Sequence, residues 1–236
     1  MDLSLLQRKI NELDYKNNNT KDKLVSLQPG DNVLRLVPYE HDKQWPFKEL
    51  YFLYGINNRT YLSPITFGEA DPFAEAAKKI SMEANGDEEM KKIASKLRPK
   101  KRFYAPVIVR GKESEGVKFW GFSATSMKEI LSYISDPDYG DITDPRTGRD
   151  IVVTFTKPLK GMPSISLKVK PKETLAVPSN MTQALENQPV LESLFSKPTY
   201  SELEEALKQY MNSMDGNQSE FEKNDSVKDK EDNVFT

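Results

Sequence analysis

The sequence predicts a mainly β chain with helical insertions, an α+β fold. Its core reads as a five-stranded, partly open barrel of the OB type, with an N-terminal helical arm and C-terminal helices. Three observations lead there. Short runs of alternating or aromatic-rich residues recur along the chain, each bounded by turn residues. Two regions, 72–97 and the part after Pro178, instead show helical spacing of small and apolar residues. The length of 236 residues exceeds the roughly 100–200 usual for one domain, which leaves room for a core with tails.

Leu3, Leu6, Ile10 and Leu13 recur at helical spacing, so residues 2–14 are expected to form an amphipathic arm. A polar joint follows at 15–23, and Pro29-Gly30 marks the start of the core. Val33–Pro38 and Leu50–Ile56 read as strands, and Asn57-Asn58 is a turn that returns the chain into Arg59–Leu62. Residues 72–97 read as two helices broken at Asn85-Gly86, with Asp87 as an N-cap. Phe103–Arg110 and Val117–Ser123 are partner strands. Ser126 and Glu129 are spaced as a capping box for a helix to about Ile134. Ile151–Thr156 and Ser164–Lys170 are strands, and Met181–Phe195 and Tyr200–Met214 are helices. Residues 215–236 hold seven acidic and three basic side chains and almost nothing apolar, so they read as a disordered acidic tail. The expected division is therefore an arm at 1–28, a core at 29–178 with a helical subdomain at about 63–97, a helical segment at 179–214, and the tail.

The net charge of −2 conceals a segregation. Residues 91–172 hold 18 basic and 8 acidic side chains, whereas residues 173–236 hold 5 and 13. A basic middle third attracts polyanions, partly through release of their condensed counterions. The alternative is a solvated surface balanced by the acidic end of the same chain.

Within the basic third, Lys96, Arg98, Lys100, Lys101, Arg102, Arg110, Lys112 and Lys118 are interleaved with Phe103, Tyr104, Phe119, Trp120 and Phe122. Cations that follow a phosphate backbone, together with rings that stack on unpaired bases, suit single-stranded nucleic acid. Strand alternation sets Phe103, Ala105, Val107 and Val109 on one face and Tyr104, Ile108 and Arg110 on the other. The same alternation groups Lys118 with Trp120. Tyr104, Arg110, Lys118 and Trp120 are therefore expected to face outward, and Arg59 and Tyr61 of the earlier hairpin join them. For any single ring, burial in the core is the alternative.

Several chemistries are excluded by inventory. There is no cysteine, and His41 is the one histidine, so thiolate sites, His-rich zinc sites and a conventional catalytic triad have no material. The aspartates at 136, 138, 141 and 144 miss the calcium-loop spacing, since Gly140 falls at position 5 and Thr147 at position 12. No phosphate-binding glycine motif occurs. No cofactor, no metal and no catalytic residue are expected. With no signal-like N-terminus and no apolar run near 18 residues, the chain reads as soluble and intracellular.

The run Lys-Lys-Arg-Phe-Tyr-Ala-Pro-Val-Ile-Val (100–109), a loop ending in Gly, Phe-Trp-Gly-Phe-Ser (119–123) and a following helix resemble the core of the T4-type phage single-stranded-DNA-binding proteins, also called helix-destabilising proteins. Gly-Asp-Ile-Thr-Asp-Pro-Arg-Thr-Gly-Arg-Asp-Ile (140–151) is similar to marine-phage members. The resemblance implies cooperative binding of single strands in phage DNA replication, recombination and repair, in the cytoplasm of the infected bacterial host. It implies that Lys100, Lys101, Arg102, Phe103 and Tyr104 contact DNA, with Trp120 as a further ring. It implies that Arg8 and Lys9 of the arm contact the neighbouring protomer, and that the acidic tail recruits replication and recombination proteins and competes with DNA. Familiar members hold a structural zinc; here Ser63–Ile80 offers no Cys or His, and Phe67, Phe73, Ala77 and Ile80 are expected to pack an apolar subdomain in its place. An RNA-binding OB protein and a protein-interaction adaptor with a basic docking surface are the rival readings.

Overall fold

A computed structural model describes residues 22–157, 163–172 and 176–228, with side chains described as far as Met214. These residues form seven strands: β1 (Gly30–Leu36), β2 (Lys48–Ile56), β3 (Arg59–Leu62), β4 (Lys100–Val109), β5 (Lys118–Phe122), β6 (Asp150–Thr156) and β7 (Ser164–Val169). They form five α-helices: α1 (Pro72–Glu83), α2 (Glu88–Leu97), α3 (Ala124–Ile134), α4 (Thr182–Glu186) and α5 (Tyr200–Lys228). The fold is α+β, as expected. The chain divides into two compact units, Met1–Leu50 with Lys101–Ser196 and Tyr51–Lys100 with Lys197–Thr236. The expected arm, with Arg8 and Lys9, lies outside the described residues. No helix among the described residues is long and apolar enough to cross a membrane.

In the first unit the strands pair antiparallel along the path β5–β4–β1–β6–β7. The path does not close on itself among the described residues, so the sheet there is open rather than a closed barrel. One face is apolar. Leu34, Leu36, Ala105, Val107, Ile151, Val153, Leu167 and Val169 pack there with Met127 and Ile130 of α3. Period-2 alternation places these residues on one side, and each fully buried aliphatic side chain stabilises the fold by about 1.5–3 kcal/mol. The cap of α3 is Ser123, three residues before the expected Ser126: its Oγ accepts the Ser126 N–H at 3.2 Å.

The opposite face holds a buried charge cluster. Arg35 and Asp150 are cross-strand partners of β1 and β6. Asp150 Oδ1 accepts from Arg35 Nε at 2.9 Å and from Arg110 Nε at 3.0 Å, and Lys170 Nζ lies 3.9 Å from Oδ2. Arg35 Nη1 also donates to the Asp144 carbonyl at 3.1 Å. Arg35 is completely buried. A buried guanidinium is tolerated only when paired and hydrogen-bonded, and this one is both.

The helix expected over 181–195 is instead a broken series: 3-10 turns at Ser179–Met181 and Leu191–Leu194 flank the five-residue α4. Pro189 removes a backbone donor, and the residue before a proline is pushed out of helical geometry. The Gln188 side chain ties this segment down, donating to the Pro38 carbonyl at 2.9 Å.

In the second unit Asn57 and Asn58 both take positive φ, 50° and 60°, and turn β2 back into β3. That is the geometry of a tight hairpin, and asparagine tolerates it. Asp71 caps α1, accepting from Phe73 N at 2.8 Å and from the Ser63 hydroxyl, and Pro72 takes the first helical position. Asp87 caps α2 as expected, accepting from Glu89 N at 2.8 Å. Leu53, Ile56, Phe73, Ala77 and Leu97 make the core with Leu203 and Ala206 of α5, and Ile80 packs against it. Phe67 does not join them. The turn Pro64–Phe67 ends at Gly68 and leaves this ring exposed, with Lys197 Nζ 4.5 Å from its centre. The backbone of α5 runs on to Lys228, well past Met214, where the sequence places the start of a disordered tail.

Substituting Asp150 with Asn leaves Arg35 buried without its counter-charge. It is expected to cost about 3–5 kcal/mol of stability, read as a lower urea midpoint with an unchanged denaturant slope.

Candidate nucleic-acid interface

β4 has apolar or aromatic neighbours on both faces, and this decides which side chains remain available. Phe103, Ala105 and Val107 face the main core. Ile108, on the other face, packs with Val37, Val117 and Met181. Tyr104 shares that second face, is only 7% exposed, and meets Phe195 edge-on at 5.8 Å. The parity read for β4 is correct, but neither of its faces is open to solvent at Tyr104.

On β5 the expected grouping is reversed by register. Tyr104 lies opposite Gly121, Ala105 opposite Trp120, and Val107 opposite Lys118. Trp120 and Lys118 are therefore on the Ala105 face, not on the Tyr104 face. Trp120 is 1% exposed, in van der Waals contact with the core and 4.6 Å from Phe122 between ring centres. Its Nε1 is a buried donor with no acceptor among the described residues. The outward placement expected for Tyr104 and Trp120 is thus corrected: both rings are structural.

The cations divide similarly. Arg110 is drawn into the Asp150 cluster, its Nη2 3.0 Å from Oδ1. Lys118 is mostly buried and pairs with Glu115 at 2.7 Å, which holds the Glu115 carboxyl below its usual range. Lys101 and Arg110 stand at opposite ends of β4, roughly 30 Å apart at the usual strand rise. The expected single row of cations and rings is therefore not formed.

Of the expected set, the head of β4 and Lys112, whose Nζ lies 4.0 Å from Glu115, remain accessible in the first unit. Lys101 is exposed, 2.6 Å from Glu49 and 5.7 Å from the centre of the Phe103 ring. Phe103 stacks on Phe122 with centres 6.3 Å apart and is buried. Arg102 is half-buried and donates from Nη2 to the Gly121 carbonyl at 2.7 Å. Arg102 and Tyr104 both lie across Gly121. A Cβ there would stand 2.7 Å from Tyr104 Cε1 and 3.0 Å from Arg102 Nε, so only glycine lets the guanidinium and the phenol settle side by side. In the second unit Arg98 and Lys100 are exposed, Arg98 donating to Ser81 Oγ at 3.1 Å and Lys100 to the Ser95 carbonyl at 2.8 Å. Arg59 is exposed at the start of β3, and Tyr61 is half-buried against that unit's core.

Trp45, Tyr54 and Tyr200 are exposed rings that the sequence pattern does not single out. Trp45 follows β1 in a polar loop and is 45% exposed. Asp42 Oδ1 accepts its N–H at 3.1 Å while Oδ2 takes Lys48 Nζ at 3.0 Å, and the Lys48 bond holds the Asp42 carboxyl below its usual range. Trp45 lies in no alternating run, and Lys43 and Lys48 stand among acidic and polar neighbours rather than in a basic cluster, so neither periodicity nor charge clustering signals it.

A family model described as gp32 DNA binding protein like matches residues 28–214. Comparison with curated proteins finds no match.

Substituting Gly121 with Ala is expected to lower stability by about 1–3 kcal/mol through overpacking against Tyr104. Equilibrium unfolding in urea checks the magnitude.

Proposed function

The chain belongs to the gp32-like DNA-binding family, and on that premise we propose that it binds single-stranded DNA cooperatively and without reading sequence. It serves phage DNA replication, recombination and repair in the cytoplasm of the infected bacterial host, as a binding protein rather than an enzyme. The observation that carries this reading is the seven-residue stretch 96–102. It holds Lys96, Arg98, Lys100, Lys101 and Arg102 with no acidic residue, and all but Arg102 are exposed.

The physical argument is one of exchange. The partners of these side chains include a carboxylate at the surface, the edge of the core at Phe103, a hydroxyl and backbone carbonyls. Exposed ion pairs of this kind are worth only about 0–1 kcal/mol. A phosphate backbone that releases condensed counterions replaces them at little cost. Arg110, tied to the buried Asp150, and Lys118, itself mostly buried, are poorer contributors. Arg59 and Tyr61 supply a cation and a partly exposed ring from the hairpin of the second unit. The antiparallel path β5–β4–β1–β6–β7 supports reading the first unit as an open relative of the OB barrel, a fold that binds oligonucleotides along one face. The arm, through Arg8 and Lys9, contacts neighbouring protomers, and the acidic residues after Met214 tether replication and recombination proteins.

The test is a titration of labelled dT oligomers at several salt concentrations, with poly-U as competitor. Wild type is expected to weaken steeply as salt rises. The double substitution Lys100→Ala, Lys101→Ala should weaken binding and flatten the log–log salt slope by about 1.4, since each single-strand phosphate contact contributes about 0.7. A salt-independent affinity would overturn the reading, and stronger binding of poly-U would transfer it to RNA.

A further inference from the structure

We infer that Trp45 is a stacking platform for an unpaired base of the bound strand, a site in the loop between β1 and β2. This rests on the single-strand reading above and deepens it.

The indole is exposed, yet it is held firmly. The Tyr39 carbonyl accepts Asp42 N–H at 3.0 Å and closes the turn. Asp42 then fixes the Trp45 backbone and Lys48 together, through its two carboxylate oxygens. Two residues on, Phe47 is buried in the core, its ring centre 5.2 Å from that of Trp45. A ring presented this way loses little further conformational freedom on binding, which is what a stacking contact needs. Leaving so large an apolar surface in water, on a loop built to hold it there, is the feature that packing does not account for.

Its surroundings fit a nucleotide. Phe47 meets Phe122 at 6.3 Å, Phe122 stacks on Phe103 at 6.3 Å, and Lys101 lies 5.7 Å from Phe103. These contacts run through the core, where Phe47, Phe122 and Phe103 are buried, so they brace the indole from beneath within one unit. Lys43 lies in the loop itself, and Lys48 opens β2 three residues after the indole. A base on the indole would thus have the exposed Lys43 ammonium, two residues away, for a neighbouring phosphate, the pairing single strands use. Stacking tolerates any base, so the site adds affinity without sequence readout.

The chain's two tryptophans make this directly testable, because one is exposed and the other buried. Trp120→Phe leaves Trp45 as the sole reporter. Its indole N–H makes no hydrogen bond among the described residues, so phenylalanine forfeits none. Binding is followed independently by the anisotropy of end-labelled dT oligomers. The expected results are quenching of Trp45 emission at saturation in Trp120→Phe, none in Trp45→Phe, and affinity about 5- to 150-fold weaker in Trp45→Ala, the worth of one stacked base. Should Trp120→Phe not fold, 5-fluorotryptophan in the wild-type chain gives two fluorine resonances. Trp45→Phe assigns them, and only that of Trp45 should shift strongly on binding. Labelled dT bound with wild-type affinity by Trp45→Ala, with the Trp45 signal unmoved, overturns this inference and leaves the single-strand reading standing. Failure of wild type to bind labelled dT even at low salt overturns both.

Discussion

The carboxylate of Asp150 is the constraint on which the first unit depends. It joins β6 to β1 through Arg35, to the end of β4 through Arg110, and to the end of β7 through Lys170. Arg35 is fully buried, so its charge needs a partner wherever the strand register puts it. Only a register that sets Arg35 opposite Asp150 meets that need. A slip by one residue would bury a lone guanidinium and also turn Leu34 and Leu36 away from their core. The same carboxylate takes Arg110 out of the pool of cations available to a polyanion. Positive charge counted along the sequence therefore overstates the charge a ligand meets.

A second constraint follows from covering β4 on both faces. A strand with one solvated face would have left Tyr104 in water. Here the segment after Pro178 lies over the second face, bringing Met181 to Ile108 and Phe195 to Tyr104. The aromatic residues of β4 and β5 then become packing, and the rings that reach solvent come from loops and from the hairpin of the second unit. The side chains left free to meet a ligand then lie at the ends of the strands and in loops, which vary without disturbing the core.

How much of this was legible is best judged residue by residue. Asp87, Asn57 and Asn58 act through their own backbones, so local chemistry is enough to place a cap and a turn, and both are where the sequence puts them. All seven strands follow from alternation and β-branched or aromatic content. The face of Trp120 does not, because it depends on whether position 120 or 121 stands opposite Tyr104, and register is a property of two strands rather than one. Ser123 and Ser126 both satisfy a capping pattern, and only the strand's end chooses between them. The failed helix at 181–195 has apolar spacing that Pro189 interrupts, a breaker whose weight against a long periodic run is set by what the segment packs on. Trp45 lay beyond every pattern, since exposure of a loop residue is decided by tertiary contacts alone.

A chain of net charge −2 still suits a polyanion because its charges differ in how firmly they are held. Arg35 and Arg110 are bound to a buried carboxylate, where the local dielectric is low and exchange would strand a charge. Lys100 and Lys101 meet a carbonyl and an exposed glutamate, where water already competes for the same bonds. On the proposed function, an incoming phosphate would displace the second kind and leave the first. The fold thereby separates cations that maintain the sheet from cations held only by exposed partners, and it is the second kind on which the proposed function rests.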